Sequence, residues 1–185
     1  IQFKLEGQII KRHPEFQMEE RLLLDKVDYQ NGTVTIGEKT YPLKDFQFPT
    51  IDPKDPYALT EEEESVVEQL ISSFKGSEKL QRHTRFLYSE GGLYKCFNGN
   101  LLYHGCIPFH EDGNFMEFQL GGERLAGKRL VDYAEEVARQ GYYSRPGSPQ
   151  KRYGEDFLWF LWCGKNSPLF GRLRMATFER MLIAD

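Results

Sequence analysis

One imidazole in this 185-residue chain is placed in the way a metal-ligand histidine is placed. In Asn100-Leu101-Leu102-Tyr103-His104-Gly105-Cys106-Ile107-Pro108 an apolar strand runs into His104 and then into a glycine turn. Such a turn fixes the ring and frees the following residues to leave the sheet and open a site. A core histidine satisfied by a backbone carbonyl is the alternative, because an isolated His-Gly pair is common. Cys106 is two residues on and could in principle share a strand face with His104, as a cysteine nucleophile with a histidine base would require. No third residue to orient the base and no nucleophile elbow accompany the pair. His110 lies in the polar turn His110-Glu111-Asp112-Gly113-Asn114; it could serve the mouth of a site as a proton donor, but reads as an exposed turn residue. His83, between Arg82 and Arg85, belongs to a polar helix face, and His13 precedes Pro14 in a linker. The acidic run Glu61 to Glu64 follows Thr60 and is a capping box with acids at the positive end of the helix dipole, a better account than metal binding.

The elements that must hold these residues follow from pattern. Residues 1 to 12 read as a helix, and Gln17 to Val27 sets Met18, Leu22, Leu23 and Val27 among charges. Asn31-Gly32 turns a hairpin between Val27-Asp28-Tyr29 and Thr33 to Ile36, and Thr40 to Leu43 extends it into a meander. Pro49, Pro53 and Pro56 make Phe48 to Tyr57 an extended tether. A helix with the apolar face Val66, Val67, Leu70, Ile71 and Phe74 follows Thr60, and a second, Glu78 to Tyr88, ends at Gly91-Gly92. Asn98-Gly99-Asn100 then joins Leu93 to Phe97 with Leu101 to His104 as a hairpin. Phe115 to Leu120 reads as a strand, Gly127 to Gly141 as an amphipathic helix, and Arg145 to Lys151 as a loop. Glu155 to Cys163 is a strongly aromatic helix ended by Gly164, with Trp159 and Trp162 assigned to the core, and Met175 to Ile183 closes the chain as strand or helix.

Composition excludes several classes. A net charge of −4 with dispersed basic residues offers no footprint for nucleic acid. No apolar run approaches the roughly 20 residues a bilayer crossing needs, and no signal peptide is evident, so no membrane partner is expected. Three widely spaced cysteines, Cys96, Cys106 and Cys163, without CxxC spacing, imply reduced thiols and a cytoplasmic setting. The chain starts at Ile1 and stops abruptly after an apolar segment, so a fragment of a longer protein is expected.

Four blocks give the sequence a family likeness: Arg21 to Asp28, Phe48 to Pro53, Asn98 to Pro108, and Trp162-Cys163-Gly164 through Arg172 to Arg180. In length and order they closely resemble the class III fructose-1,6-bisphosphatases of Firmicutes and related bacteria. The resemblance implies a manganese-dependent phosphomonoesterase of the calcineurin-like metallophosphatase superfamily, which removes the 1-phosphate of fructose 1,6-bisphosphate in gluconeogenesis. The fold class it implies is α+β, part of a β-sandwich flanked by helices. Residues 1–57 would form a helix, β-meander and Pro-rich linker, and residues 58–185 a helix pair plus strands in a partial metallophosphatase domain. His104 matches the family's strand-terminal metal ligand. The motifs Asp-x-His, Gly-Asp-x-x-Asp-Arg, Gly-Asn-His and Gly-His are missing, so the remaining Mn²⁺ ligands are expected in other segments of the full-length chain, this being a middle-to-C-terminal part. By the same resemblance Arg172 or Arg174 would clamp phosphate, a task that suits the bidentate guanidinium fork; a solvated basic loop is the alternative. Lys165, Asn166 and Ser167, then Arg152 and Tyr153, are weaker substrate candidates. A non-catalytic regulatory module derived from the family is the competing function, and homo-oligomerisation stays open.

Overall fold

The first helix, α1 (Gln2–Arg12), ends in Lys11 and Arg12, cations at the negative end of its dipole. The computed structural model describes residues 1–184. They form two compact units, Ile1–Gly76 joined by the segment from Ala176 onward, and Ser77–Met175.

In the first unit, residues 17 to 27 include two short 3₁₀ turns, Glu19–Arg21 and Leu24–Lys26, and Leu23 and Leu24 enter the core. An antiparallel meander follows in the order β1 (Val27–Asp28), β2 (Thr33–Ile36), β3 (Lys39–Pro42). The Asp28 carboxylate closes its first turn by accepting the backbone N–H of Gln30 at 3.0 Å and of Asn31 at 2.9 Å. Leu23, Leu24, Val27, Val34, Leu43, Tyr57, Phe178 and Ile183 make the core.

Helix α2 (Glu61–Gly76) opens with the expected capping box, Glu63 N–H donating to Thr60 Oγ1 (3.2 Å) and Thr60 N–H to Glu63 Oε2 (3.0 Å). Glu63 has a second role, because Lys4, only 2% exposed, places its ammonium 2.6 Å from Oε2. Val66, Leu70, Ile71 and Phe74, the apolar face of α2, are exposed in this chain. A short α6 (Thr177–Leu182) returns to this unit, with Phe178 in the core, Arg21 paired bidentately to Glu179 at 2.6 and 3.0 Å, and Ile183 bridged to Leu43. These two ion pairs and the bridge explain why α2 and the last residues group with residues 1–57, where a division after residue 57 was expected.

The second unit begins with α3 (Glu78–Glu90), capped by Ser77, and the hairpin β4 (Tyr94–Phe97) to β5 (Asn100–Tyr103). Asn98 and Gly99 have φ of 48° and 73°, the left-handed pair a tight hairpin turn requires. The strand read over residues 115 to 120 is shorter, β6 (Phe118–Leu120), because Phe115 only bridges Phe109. It pairs with an unforeseen β7 (Glu123–Leu125) across Gly121-Gly122, both at positive φ.

Helices α4 (Gly127–Tyr143) and α5 (Pro149–Cys163) pack as a pair. Helix α5 starts six residues earlier than Glu155, since Ser148 Oγ accepts the Lys151 N–H at 3.2 Å and Pro149 occupies the first helical position. The loop expected over Arg145 to Lys151 is therefore half helix. Where the helices meet, glycine faces glycine: a Cβ on Gly141 would lie 2.7 Å from the Gly154 carbonyl carbon. Phe157, Phe160 and Leu161 are buried, whereas Trp162 is 61% exposed and Trp159 is partly buried. The core assignment of Trp162 is thus corrected, for at about 100° per residue it lies on the opposite side of α5 from Phe160. Mixed helix and small separate sheets, of three, two and two strands among the described residues, make the class α+β.

Candidate functional site

His104 follows directly on β5, where the strand's last turn of pairing holds its N–H 3.3 Å from the Leu93 carbonyl oxygen. Its side chain is exposed. That disposes of the core-histidine alternative: the ring is presented outward from the end of a strand. Gly105 adopts φ +79°, and a Cβ there would collide with the carbonyl oxygens of Pro168 and Leu169, the latter at 2.6 Å. The glycine is therefore required twice, for its backbone conformation and for the close seat of the turn on another segment.

That seat is the loop after α5. Cys106 N–H donates to Pro168 O at 2.9 Å, and a Cβ on Gly171 would stand 3.1 Å from Cys106 Cβ. Ser167, wholly buried, donates its hydroxyl to Leu161 O (2.7 Å) and accepts the Phe170 N–H (3.1 Å), fixing the loop to α5. The structure thus brings the block ending in Pro108 against the block beginning at Trp162, some sixty residues apart in sequence. It also corrects Ser167, which is a loop fastener and not a substrate contact.

Two cavities flank His104. One, about 320 Å³, is lined mainly by apolar groups, among them Leu93, Leu101, Tyr103, Ile107, Val131 and Leu169. The other, about 390 Å³, includes Glu135 and Arg139 in its wall. Cys106 shares the first cavity, but its thiol leans 3.7 Å from Ser167 O and burial pushes its pKa up. A thiolate is disfavoured there, which argues against the nucleophilic cysteine.

The other candidates are more dispersed. Arg172 and Arg174 are exposed, and neither guanidinium makes an ion pair among the described residues. The Arg172 carbonyl accepts the Asn166 N–H at 2.8 Å, which fixes its backbone on the loop that seats Gly105; among the described residues no such bond fixes Arg174. Asn166 has φ 55° and Lys165 is partly buried in the same loop. His110 is an exposed turn residue, its N–H donating to Asn114 O at 2.8 Å, and His83 is exposed on α3. His13 contacts Glu15 at 3.0 Å in the first unit.

Among the described residues no three His, Cys, Asp or Glu side chains converge as a metal site. By itself, then, this set does not fit a metal ion: one imidazole is a single donor where a bound divalent cation needs several. What sequence reading missed is the seat itself, Pro168 and Leu169, and the pair Glu135 and Arg139; the spacing of four on an amphipathic helix was the visible signal for the latter.

The whole chain, residues 1–185, matches the family model described as Firmicute fructose-1,6-bisphosphatase. Among curated proteins it is 54% identical to "Fructose-1,6-bisphosphatase class 3" of Clostridium novyi (strain NT), over all of this chain and 28% of that protein. It is 56% identical to the protein of the same name from Clostridium botulinum (strain Langeland / NCTC 10281 / Type F), with the same coverage. The chain therefore spans a little over a quarter of the length of the relatives it matches. No solved structure matches.

Proposed function

The chain belongs to the Firmicute fructose-1,6-bisphosphatase family, and on that premise we propose that it is a segment of a manganese-dependent enzyme that hydrolyses the 1-phosphate of fructose 1,6-bisphosphate in gluconeogenesis, in the cytoplasm. The observation that carries this reading is His104, exposed at a strand end and held by a glycine turn that admits no side chain. In the full-length protein His104 gives one donor to a metallophosphatase site whose other ligands, and the rest of the β-sandwich, come from segments beyond these residues. Arg172, with its backbone tied into the same loop system, is the better placed of the two arginines to meet phosphoryl oxygens, which a guanidinium engages bidentately. No helix among the described residues is long and apolar enough to cross a membrane.

The missing ligand cluster also favours a second reading, a module that binds but does not hydrolyse. Phosphate release from fructose 1,6-bisphosphate with Mn²⁺, measured for this chain, for the full-length protein and for its His104→Ala variant, separates the two. The enzyme reading expects turnover only in the full-length protein and its loss in the variant at unchanged melting temperature. Silence in the full-length protein favours the module, and full activity of His104→Ala removes His104 from the site.

A further inference from the structure

Between α3 and β4 the chain must turn at Gly91-Gly92 and deliver Leu93, the residue whose carbonyl accepts the His104 N–H at 3.3 Å. The same residue is gripped at its other backbone group. Glu135 Oε2, on α4, accepts the Leu93 N–H at 3.0 Å. Glu135 is itself held by Arg139, one turn along, whose Nε and Nη2 stand 3.3 and 3.0 Å from Oε1. The guanidinium then reaches past Glu135 to donate to Tyr88 O and, at 2.7 Å, to Gly91 O, where α3 has just ended.

One guanidinium thus makes four hydrogen bonds to three acceptors: the Tyr88 and Gly91 carbonyls at the end of α3, and the carboxylate that holds Leu93. The glycines are shaped for this. A Cβ on Gly92 would stand 3.1 Å from Glu135 Oε2, so a side chain there would shift the carboxylate by a few tenths of an ångström. An ordinary surface pair at this spacing is worth a few tenths of a kcal/mol and has no reason to be aimed at a backbone amide. Here both members are about 30% exposed, and both spend their hydrogen bonds on the turn.

We infer that Glu135 and Arg139 are positioning residues for His104, acting through the backbone of Leu93. The relay is Arg139 to Glu135 carboxylate, carboxylate to Leu93 N–H, and Leu93 C=O to His104 N–H. It fixes the backbone from which the imidazole projects, while Gly105 and Pro168 fix the other side. The inference rests on the reading of His104 as a site residue, and the test is arranged so that the two fail separately.

The experiment uses the full-length protein with His104→Ala, Glu135→Ala and Glu135→Gln. It measures steady-state hydrolysis of fructose 1,6-bisphosphate across Mn²⁺ concentrations, thermal unfolding, and hydrogen exchange of the Leu93 and His104 amides. Loss of a partner that orients a ligand costs about tenfold or more in activity or metal affinity. Glu135→Ala is expected to raise the half-saturating Mn²⁺ concentration about tenfold, leave KM for the bisphosphate unchanged, and speed exchange at both amides about tenfold. Glu135→Gln retains an oxygen acceptor for Leu93 and should restore most of each. Activity and exchange within twofold of wild type in Glu135→Ala overturns the inference. So does a Glu135→Ala defect that comes with a general loss of thermal stability and is not rescued by Gln, because a scaffold role then accounts for it. If His104→Ala is active while Glu135→Ala speeds His104 exchange, the relay stands and the site reading falls.

Discussion

The contact between α4 and α5 makes a stability prediction whose sign runs against helix propensity. Replacing Gly141 by Ala puts a methyl 2.7 Å from the carbonyl carbon of Gly154 and 3.0 Å from its Cα and oxygen. Carbon atoms rest about 3.5–4.0 Å apart, so the helices must separate by roughly 1 Å, and a gap of that size forfeits about a quarter to a half of each dispersion contact across the seam. Buried on these two helices are Leu130, Ala134 and Val137 of α4 and Phe157, Phe160 and Leu161 of α5. Overpacking of this kind costs ~1–3 kcal/mol. Alanine's better helix propensity returns up to ~1 kcal/mol. The net expectation is a loss of about 1–2 kcal/mol.

Both tryptophans of the chain lie in α5, so urea unfolding followed by tryptophan fluorescence reads this helix pair directly. Gly76→Ala is the control, since nothing lies within 4 Å of where its Cβ would be. There the same substitution is expected to be neutral or to stabilise by up to ~1 kcal/mol. Gly141→Ala unfolding at the same urea concentration as wild type, or a higher one, would refute the close-packing argument.

Two further outcomes are expected. Gly105→Ala meets both a left-handed backbone at φ +79° and the oxygens of Pro168 and Leu169, so it should cost about 2–4 kcal/mol in unfolding and abolish hydrolysis in the full-length protein. A variant that keeps both would show that the turn is not seated on that loop. The second concerns acid. Burial raises the Glu63 pKa, but the Lys4 ammonium, the Thr60 N–H and the Thr50 hydroxyl outweigh it and hold the carboxyl at about 2, against 4.5 for the free side chain. Between those values the unfolded chain binds the extra proton, so the stability Glu63 gives is complete above about pH 4.5 and is lost as pH falls toward 2. Circular dichroism across that range should show a steeper acid loss for wild type than for Glu63→Gln, and parallel curves would dismiss the ion pair as a source of acid sensitivity.

Features decided by residues a few positions apart were legible in the sequence. The Thr60 capping box, the Asn98-Gly99 hairpin and His104 after its strand stand as read, and the meander turn falls where it was read but spans Tyr29 to Gly32 with only Gly32 at positive φ, because a turn or cap is settled by local hydrogen bonds and allowed φ values. Two local signals were passed over: Gly121-Gly122 turns β6 into β7, and Ser148-Pro149 starts α5. Other features had no local signal. Trp162 is exposed and Ser167 buried because the α4 seam selects one side of an aromatic helix, and the loop behind it needs a hydroxyl to bind its carbonyl. The last residues join the first unit through Arg21–Glu179 and Leu43–Ile183, pairings that span more than a hundred positions. So it is with the site. Sequence alone determined that an imidazole follows its strand and leads into a glycine turn; only the tertiary structure decided that this glycine cannot be replaced and what it sits on, and that Glu135 and Arg139 of a distant helix hold the backbone behind it, because contacts between segments are set by packing and not by spacing.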